Sequence, residues 1–242
     1  MNLLDIIIIA IIAFFVISGM VRGSFTSILA TIGFAGAWFG AIYFYPTVAN
    51  MALSNQTLMA VLTQYLEPES FFQTHTQAVT AVADVVSGGE SAIQSAIGSL
   101  SSNLSIISNA FEANVRSQAF QNLNISTLAD YLDQTIWQSV FNVGAFILCF
   151  VALYILASLI VNLLDHVICF PLFRGFDWLL GGAFGFVRGL VITLLVLAVV
   201  PPIIGIISPE LTESLKTGSV FYSMITQLDF GVGDLVRNLM GV

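Results

Sequence analysis

The residues best suited to catalysis are the two histidines, His75 and His166. A hydrolytic triad needs a histidine base, an acid that orients it and an activated nucleophile, all held close together. His75 lies in the segment Phe-Phe-Gln-Thr-His-Thr-Gln, and the sequence has no Gly-x-Ser-x-Gly turn to expose a serine nucleophile. His166 directly follows a long apolar segment. We therefore expect that the protein is not an enzyme.

A second kind of chemistry would be a metal site, because Asp165, His166 and Cys169 lie within about one helical turn. A structural zinc site needs four ligands, and no fourth ligand follows at a suitable spacing. We interpret these residues as polar side chains at the membrane surface. Cys149 and Cys169 form no Cys-x-x-Cys pair and lie in or beside apolar segments, so we interpret them as unreactive thiols. The sequence predicts no metal and no cofactor.

The most distinctive pattern is a set of glycines at helical spacing. Gly181, Gly185 and Gly189 are four residues apart; Asp177 lies four residues before the first, and Arg188 directly precedes the last. In a helix they would form one face of small residues. In lipid, such a face lets another backbone come close, which is a main way in which membrane helices associate. We predict a packing face, and the alternative is the lining of a pore.

Arg188 lies in an otherwise apolar stretch, where a base at bilayer depth costs about 2.5–3.5 kcal/mol on insertion scales. Asp177 is eleven residues away, about 16 Å along one helix, so the two cannot pair. Another element, such as Asp165 or a lipid phosphate, must supply the partner. The alternatives are a structural role at the cytoplasmic boundary and a role in conduction or partner binding. A weaker copy of Gly-x-x-Arg-Gly, with the same alternatives for its arginine, is Gly19-Met-Val-Arg22-Gly23.

The composition decides where these residues act. Hydrophobic residues make up 57% of the 242 residues and charged residues 8%, with a mean hydropathy of +0.96. This leaves too little polar surface to coat a soluble globule. The net charge of −8 comes mostly from acids in the central stretch and the C-terminal tail. We predict an integral membrane protein in contact with the lipid bilayer and no binding of nucleic acid.

Four apolar segments are long enough to cross a bilayer, which needs about 20 residues. We predict an all-α protein with a transmembrane hairpin at 1–46, closed at Arg22 and Gly23 and ending at Pro46. Helices 3 and 4 follow in 141–208, joined by an interfacial or re-entrant linker at 165–178. We expect Pro201-Pro202 to kink or end the fourth helix.

The stretch 47–140 is polar and acidic, with apolar residues at helical spacing. The spacing of Phe72, Val79, Val82 and Val86, and then of Ile93, Ile97 and Leu100, predicts short amphipathic helices separated by Gly88-Gly89. We predict an inserted helical extracytoplasmic domain that folds over the membrane surface. The tail 209–242 is predicted to be polar, with a short amphipathic end at 230–239.

The arginines set the predicted orientation, because basic short loops remain in the cytoplasm. With four spans, Arg22, Arg174 and Arg188 lie on one side of the membrane. That side is predicted to be cytoplasmic. Both termini and the central domain are then extracytoplasmic.

These motifs resemble the colicin V production family of small bacterial inner-membrane proteins, usually called CvpA. The resemblance covers residues 1 to about 46 and 141 to about 207. It implies a four-helix domain in the bacterial inner membrane that supports production or export of a peptide toxin and, more loosely, envelope maintenance. The residues that carry it are Asp5, Arg22-Gly23 and Asp177-x-x-x-Gly181-x-x-x-Gly185-x-x-Arg188-Gly189.

Two functions remain open at this stage. The first is a non-enzymatic scaffold whose acidic central domain contacts another membrane or secretion protein. The second is a homo-oligomeric channel or small-solute conduit, lined or packed by the Gly181/Gly185/Gly189 helix. Secondary transport ranks behind both, because no Asp, Glu or Lys lies mid-span. A stable ring in detergent favours the channel, and a monomer or dimer with a co-purifying protein favours the scaffold.

The packing interpretation also predicts how the fourth helix responds to substitution. Gly185→Leu should separate two backbones and lose many dispersion contacts, whereas Gly185→Ala should be mild. Val191→Leu, at a position expected to point away, should be nearly silent.

Overall fold

A computed structural model describes residues 3–100, 105–123, 125–167, 176–207 and 217–227. These residues form helices, turns and two isolated antiparallel bridges, which confirms the all-α class. The helices are α1 (Leu3–Arg22), α2 (Ser24–Leu53), α3 (Gln56–Leu62), α4 (His75–Ala78), α5 (Val82–Ser87), α6 (Glu90–Gly98), α7 (Ser105–Ser117), α8 (Leu128–Val167), α9 (Asp177–Ile207) and α10 (Val220–Gln227), with 3-10 turns at Pro68–Phe71 and Gln121–Leu123. In this part of the chain α1, α2, α8 and α9 are long and apolar enough to span a membrane.

The four long helices pack in the order α1, α9, α2, α8. The principal partners of α9 are α1 and α2, and α2 also packs along α8. Gly19 lies against Gly181, and Leu4 packs with Leu197, so α1 and α9 run in opposite directions. The connection between α1 and α2 is the single residue Gly23. Although α1 and α2 are consecutive in the chain, α1 packs mainly on α9, and α2 packs mainly on α8.

Prolines do not end two of the long helices. The helix α2 continues through Pro46 and ends at Leu53. A proline inside a helix costs about 3 kcal/mol or more, but Val48 still packs on the apolar cluster and Ala49 is buried. Packing beyond the proline therefore maintains the helix. The helix α9 likewise continues through Pro201-Pro202, so this pair does not end it.

The helix α8 belongs to both parts of the molecule. Its 40 residues extend for about 60 Å, twice the roughly 30 Å of a bilayer core. Its first turns bury Leu128, Leu132 and Ile136 among residues of α7. The predicted boundary at residues 140 and 141 lies inside this helix. The third span is thus a direct continuation of the central region.

The described part of the central region is helical and has its own apolar core. Phe72, Val82, Ile93 and Leu100, which the spacing predicted, are buried in it. Val79 is 44% exposed, so its placement on the inner face was wrong. Aromatic and aliphatic residues that the spacing had not included complete the core, among them Phe111, Val115, Phe120 and Tyr131.

Several sequence predictions fall outside the described residues. These are the interior of the 165–178 linker with Cys169 and Arg174, and the amphipathic end at 230–239. The side chains of Asp165 and His166 also lie outside them.

Candidate functional site

The glycine face of α9 lies against the backbone of α1. Gly181 faces Gly19, and a Cβ added to either residue would collide with the backbone of the other. A Cβ on Gly185 or on Gly189 would lie 3.1 Å from a Cα atom of α1, closer than ordinary van der Waals contact. The sequence alone left open whether the glycines meet another helix, a second copy or a pore. In this structure they meet α1 of the same chain.

The carboxylate of Asp177 binds the N-terminus of a neighbouring helix. Its Oδ1 atom accepts a hydrogen bond from the backbone N–H of Ser24 at 2.8 Å and a second one from the Ser24 hydroxyl. Asp177 is the first residue of α9, and Ser24 is the first residue of α2. A negative charge is stabilised by the partial positive charge at a helix N-terminus, and here two such ends meet.

Gly23 permits this contact. Its φ of +79° is in the left-handed region that L side chains rarely adopt, and a Cβ there would meet the Asp177 carboxylate. The Arg22-Gly23 motif thus includes a turn that only glycine fits well. Arg22 itself ends α1 with an exposed side chain, and it makes no ion pair with any described side chain.

Arg188 is buried, with 2% of its surface exposed. Its Nη2 atom donates to the hydroxyl of Ser27 at 3.0 Å, and that hydroxyl donates to the carbonyl of Gly181 at 3.0 Å. A further side-chain hydrogen bond joins Arg188 to Tyr154 of α8. The described partners of this cation are therefore neutral hydroxyls of α2 and α8. Sequence reasoning missed Ser27 and Tyr154, because nothing in their spacing pairs them with α9.

Asp5 lies at the other end of the α1 and α9 pair and is only 1% exposed. Its Oδ1 atom accepts from the Ser219 hydroxyl at 2.6 Å and from the backbone N–H of Phe221 at 3.3 Å. Ser219 also accepts from the N–H of Tyr222 at 3.1 Å and so caps α10. The sequence pattern had indicated only a polar tail for this segment. A serine before an apolar run was the signal that it overlooked.

The central region carries the charged surface. Arg116 of α7 donates to Glu90 of α6 at 2.6 Å and to Glu112 at 2.8 Å. The hydrogen bond from Arg116, with a second one from Gln94, lowers the pKa of Glu90 from 4.5 to about 2. The Arg116–Glu90 ion pair and a hydrogen bond from Gln94 to Glu112 connect α6 with α7.

His75 lies on the same surface. Its Nε2 atom is 3.0 Å from a carboxylate oxygen of Glu69, and both side chains are exposed. Among the residues that the structure describes, no three His, Cys, Asp or Glu side chains come close enough to hold a metal ion.

A family model described as Colicin V production protein matches residues 4–89 and 115–228. The match includes Asp5 and the whole motif from Asp177 to Gly189. It also reaches into most of the central stretch, beyond the two segments from which the resemblance was inferred, and leaves out 90–114. Comparison with curated proteins and with solved structures found no match. Since the family model covers most of its length, this chain belongs to the Colicin V production protein family.

Proposed function

We propose that this protein is a non-enzymatic scaffold of the bacterial inner membrane that supports production or export of a peptide toxin and maintenance of the envelope. Family membership and the four apolar helices support the membrane location. In the proposed topology the central region and both termini are extracytoplasmic, and the hairpin at Arg22 and Gly23 faces the cytoplasm. The positive-inside rule supports this orientation.

The acidic surface of the central region is the observation that carries the scaffold proposal. Glu67 and Asp84 are exposed, and neither has a cationic partner among the side chains described. The region has its own apolar core and is continuous with α8, so these carboxylates are held on a folded unit fixed to the membrane. Unpaired charges on a folded surface favour association with a partner of opposite charge. We therefore assign a basic partner protein to this surface.

The channel alternative gains no comparable support. A conduit lined by the Gly181/Gly185/Gly189 face would need that face to be free, whereas it packs on α1. An oligomeric conduit would have to be lined by another surface. The channel alternative is tested separately, by measuring solute flux into liposomes and the oligomeric state in detergent.

The test uses a bacterium that produces colicin V and lacks its own member of the family. It is complemented with the wild-type chain or with the double variant Glu67→Gln and Asp84→Asn. The matched control, Ala83→Lys with Asn122→Lys, changes net charge by the same amount at exposed positions without removing a carboxylate. Toxin is measured in the medium and inside the cells, and the membrane level of each variant is measured by immunoblot.

We expect the double variant to lower toxin in the medium several-fold at an unchanged membrane level, and the lysine control to behave like wild type. Toxin retained in the cells would indicate a role in export, and a fall in total toxin a role in production. Equal secretion with the double variant and the wild type would reject the acidic surface as the contact surface.

A further inference from the structure

The cations at the hairpin end of the long helices have few partners. Arg188 is buried, bonds only to neutral groups among the described residues, and has an Nε atom without a hydrogen-bond partner there. Arg22 makes no described hydrogen bond or ion pair. The two guanidinium groups are close enough for the charge of Arg22 to act on Arg188. The carboxylate of Asp177, the acid of the same motif, accepts its hydrogen bonds from Ser24 and not from either arginine. Among the described side chains, this end therefore carries two cations and one carboxylate, a net positive charge.

A small cleft opens beside these groups, between the end of α1 and the faces of α2 and α8. Its volume is about 10 Å³, and its lining residues are Arg22, Ala30, Tyr154, Ala157, Ser158 and Val161. A volume of this size holds about one oxygen atom. Tyr154 also bonds to Arg188, so it connects the cleft with the buried cation behind it. We call this the two-arginine cleft.

We propose that the two-arginine cleft binds a phosphate group, with one phosphate oxygen inserted between Arg22 and Tyr154. Guanidinium groups donate several N–H bonds in a fixed fork that matches phosphate oxygens. The Ser158 hydroxyl on the wall supplies a neutral donor. A monoatomic anion would fill the cleft but leave the exposed Arg22 donors unused, whereas a phosphate presents further oxygens outside it. The cleft lies where α1 ends and α2 begins, at the end of a membrane-spanning hairpin. A lipid headgroup and free inorganic phosphate share the required chemistry.

The test uses the purified full-length chain in a neutral detergent. Thermal unfolding is followed while phosphatidylglycerol, phosphatidylcholine or inorganic phosphate is added. The key variant is Arg22→Gln, because Arg22 is exposed and its removal leaves the helix contacts intact. Arg116→Gln is the matched control, since it removes one arginine far from the cleft. Tyr154→Phe keeps the ring and removes the hydroxyl.

We expect a phosphate compound to raise the unfolding temperature of the wild type and of Arg116→Gln. Arg22→Gln should weaken the apparent affinity about tenfold, the loss expected for one hydrogen bond to a charged group. Tyr154→Phe should weaken it as well. A response to phosphatidylglycerol but not to inorganic phosphate assigns the site to a lipid headgroup, and the converse assigns it to free phosphate. Two results would overturn the proposal. One is an equal response to phosphatidylglycerol and phosphatidylcholine that Arg22→Gln does not change. The other is an equal loss of affinity in the Arg22 and Arg116 variants.

Discussion

The carboxylate of Asp177 caps the N-terminus of α2 through Ser24, a residue 153 positions earlier in the chain. Asp5 does the same for α10 through Ser219, 214 positions later. Each motif aspartate thus stabilises the start of a helix that is remote in sequence. The glycine face lies between these two contacts along α1 and α9. The motif of this family is, in this chain, a set of contacts that hold helices together.

Loss of the Asp177 cap should destabilise the protein. We expect Asp177→Ala to lower the free energy of unfolding by about 1–2 kcal/mol, the usual range for a lost helix cap. Asp177→Asn keeps an acceptor oxygen and should lose less. Thermal unfolding in detergent measures both. Asp84→Ala, an exposed acid without a described cation partner, is the control, and equal shifts for Asp84→Ala and Asp177→Ala would contradict the capping role.

Substitution of Gly185 should be costly even with a small side chain. The sequence alone predicted that Gly185→Ala would be mild, but a Cβ there would collide with the carbonyl of Phe15 and lie 3.1 Å from the Cα of Val16. The backbones must separate, and overpacking of this kind costs about 1–3 kcal/mol. Val187→Ala, on the exposed side of α9, is the control. If the two alanine variants unfold at the same temperature, the close contact with α1 is absent in solution.

The Glu90 ion pair should make stability depend on pH at low pH. The pKa of Glu90 is lowered from 4.5 to about 2 in the folded protein, chiefly by hydrogen bonds from Arg116. A lowered pKa contributes stability that is complete above the unfolded value and is lost as the pH falls through the folded value. The difference in unfolding temperature between wild type and Glu90→Gln should therefore hold above about pH 4.5 and vanish near pH 2. The effect is small, since the pair is exposed. A difference that persists unchanged at pH 2 would show that it does not come from the charge.

The topology predicts which positions an impermeant thiol reagent can reach. In a background with Cys149→Ala and Cys169→Ala, single cysteines are placed at Ser87 in α5 and at Phe176 before α9, both exposed. On intact cells the cysteine at 87 should be labelled and the one at 176 protected. Permeabilised cells, where both should react, provide the control. Labelling at 176 alone would reverse the proposed orientation.

The sequence was sufficient for the number and approximate positions of the long helices, because apolar length is a strong signal. It was not sufficient for their pairing. Small residues occur on α2 as well as on α9, and both faces favour close packing. In the structure Gly33 and Gly40 of α2 contact Ala157 and Leu153 of α8. The glycines of α9 instead pack against α1. Choosing between such faces needs the three-dimensional register of all the helices.

The prediction for one individual side chain was wrong for a related reason. Val191 was expected to point away from neighbouring helices, but it packs against the aromatic cluster formed by Phe34, Phe146 and Phe150. The expectation considered only the glycine side of α9. Because α9 lies between α1 and α2, it has two inner faces. A larger share of α9 is therefore buried than of the other three long helices.

The continuity of α8 has a mechanical consequence. A straight helix of about 60 Å acts as a lever, so a tilt of roughly 10° at its start moves its far end by about 10 Å. Its first turns are held in the core of the central region, and Tyr154 further along bonds to Arg188. A force on the central region would therefore pass along α8 without an intervening joint, and the Tyr154 contact with Arg188 is a polar bond in the apolar part of the helix that such a movement would strain.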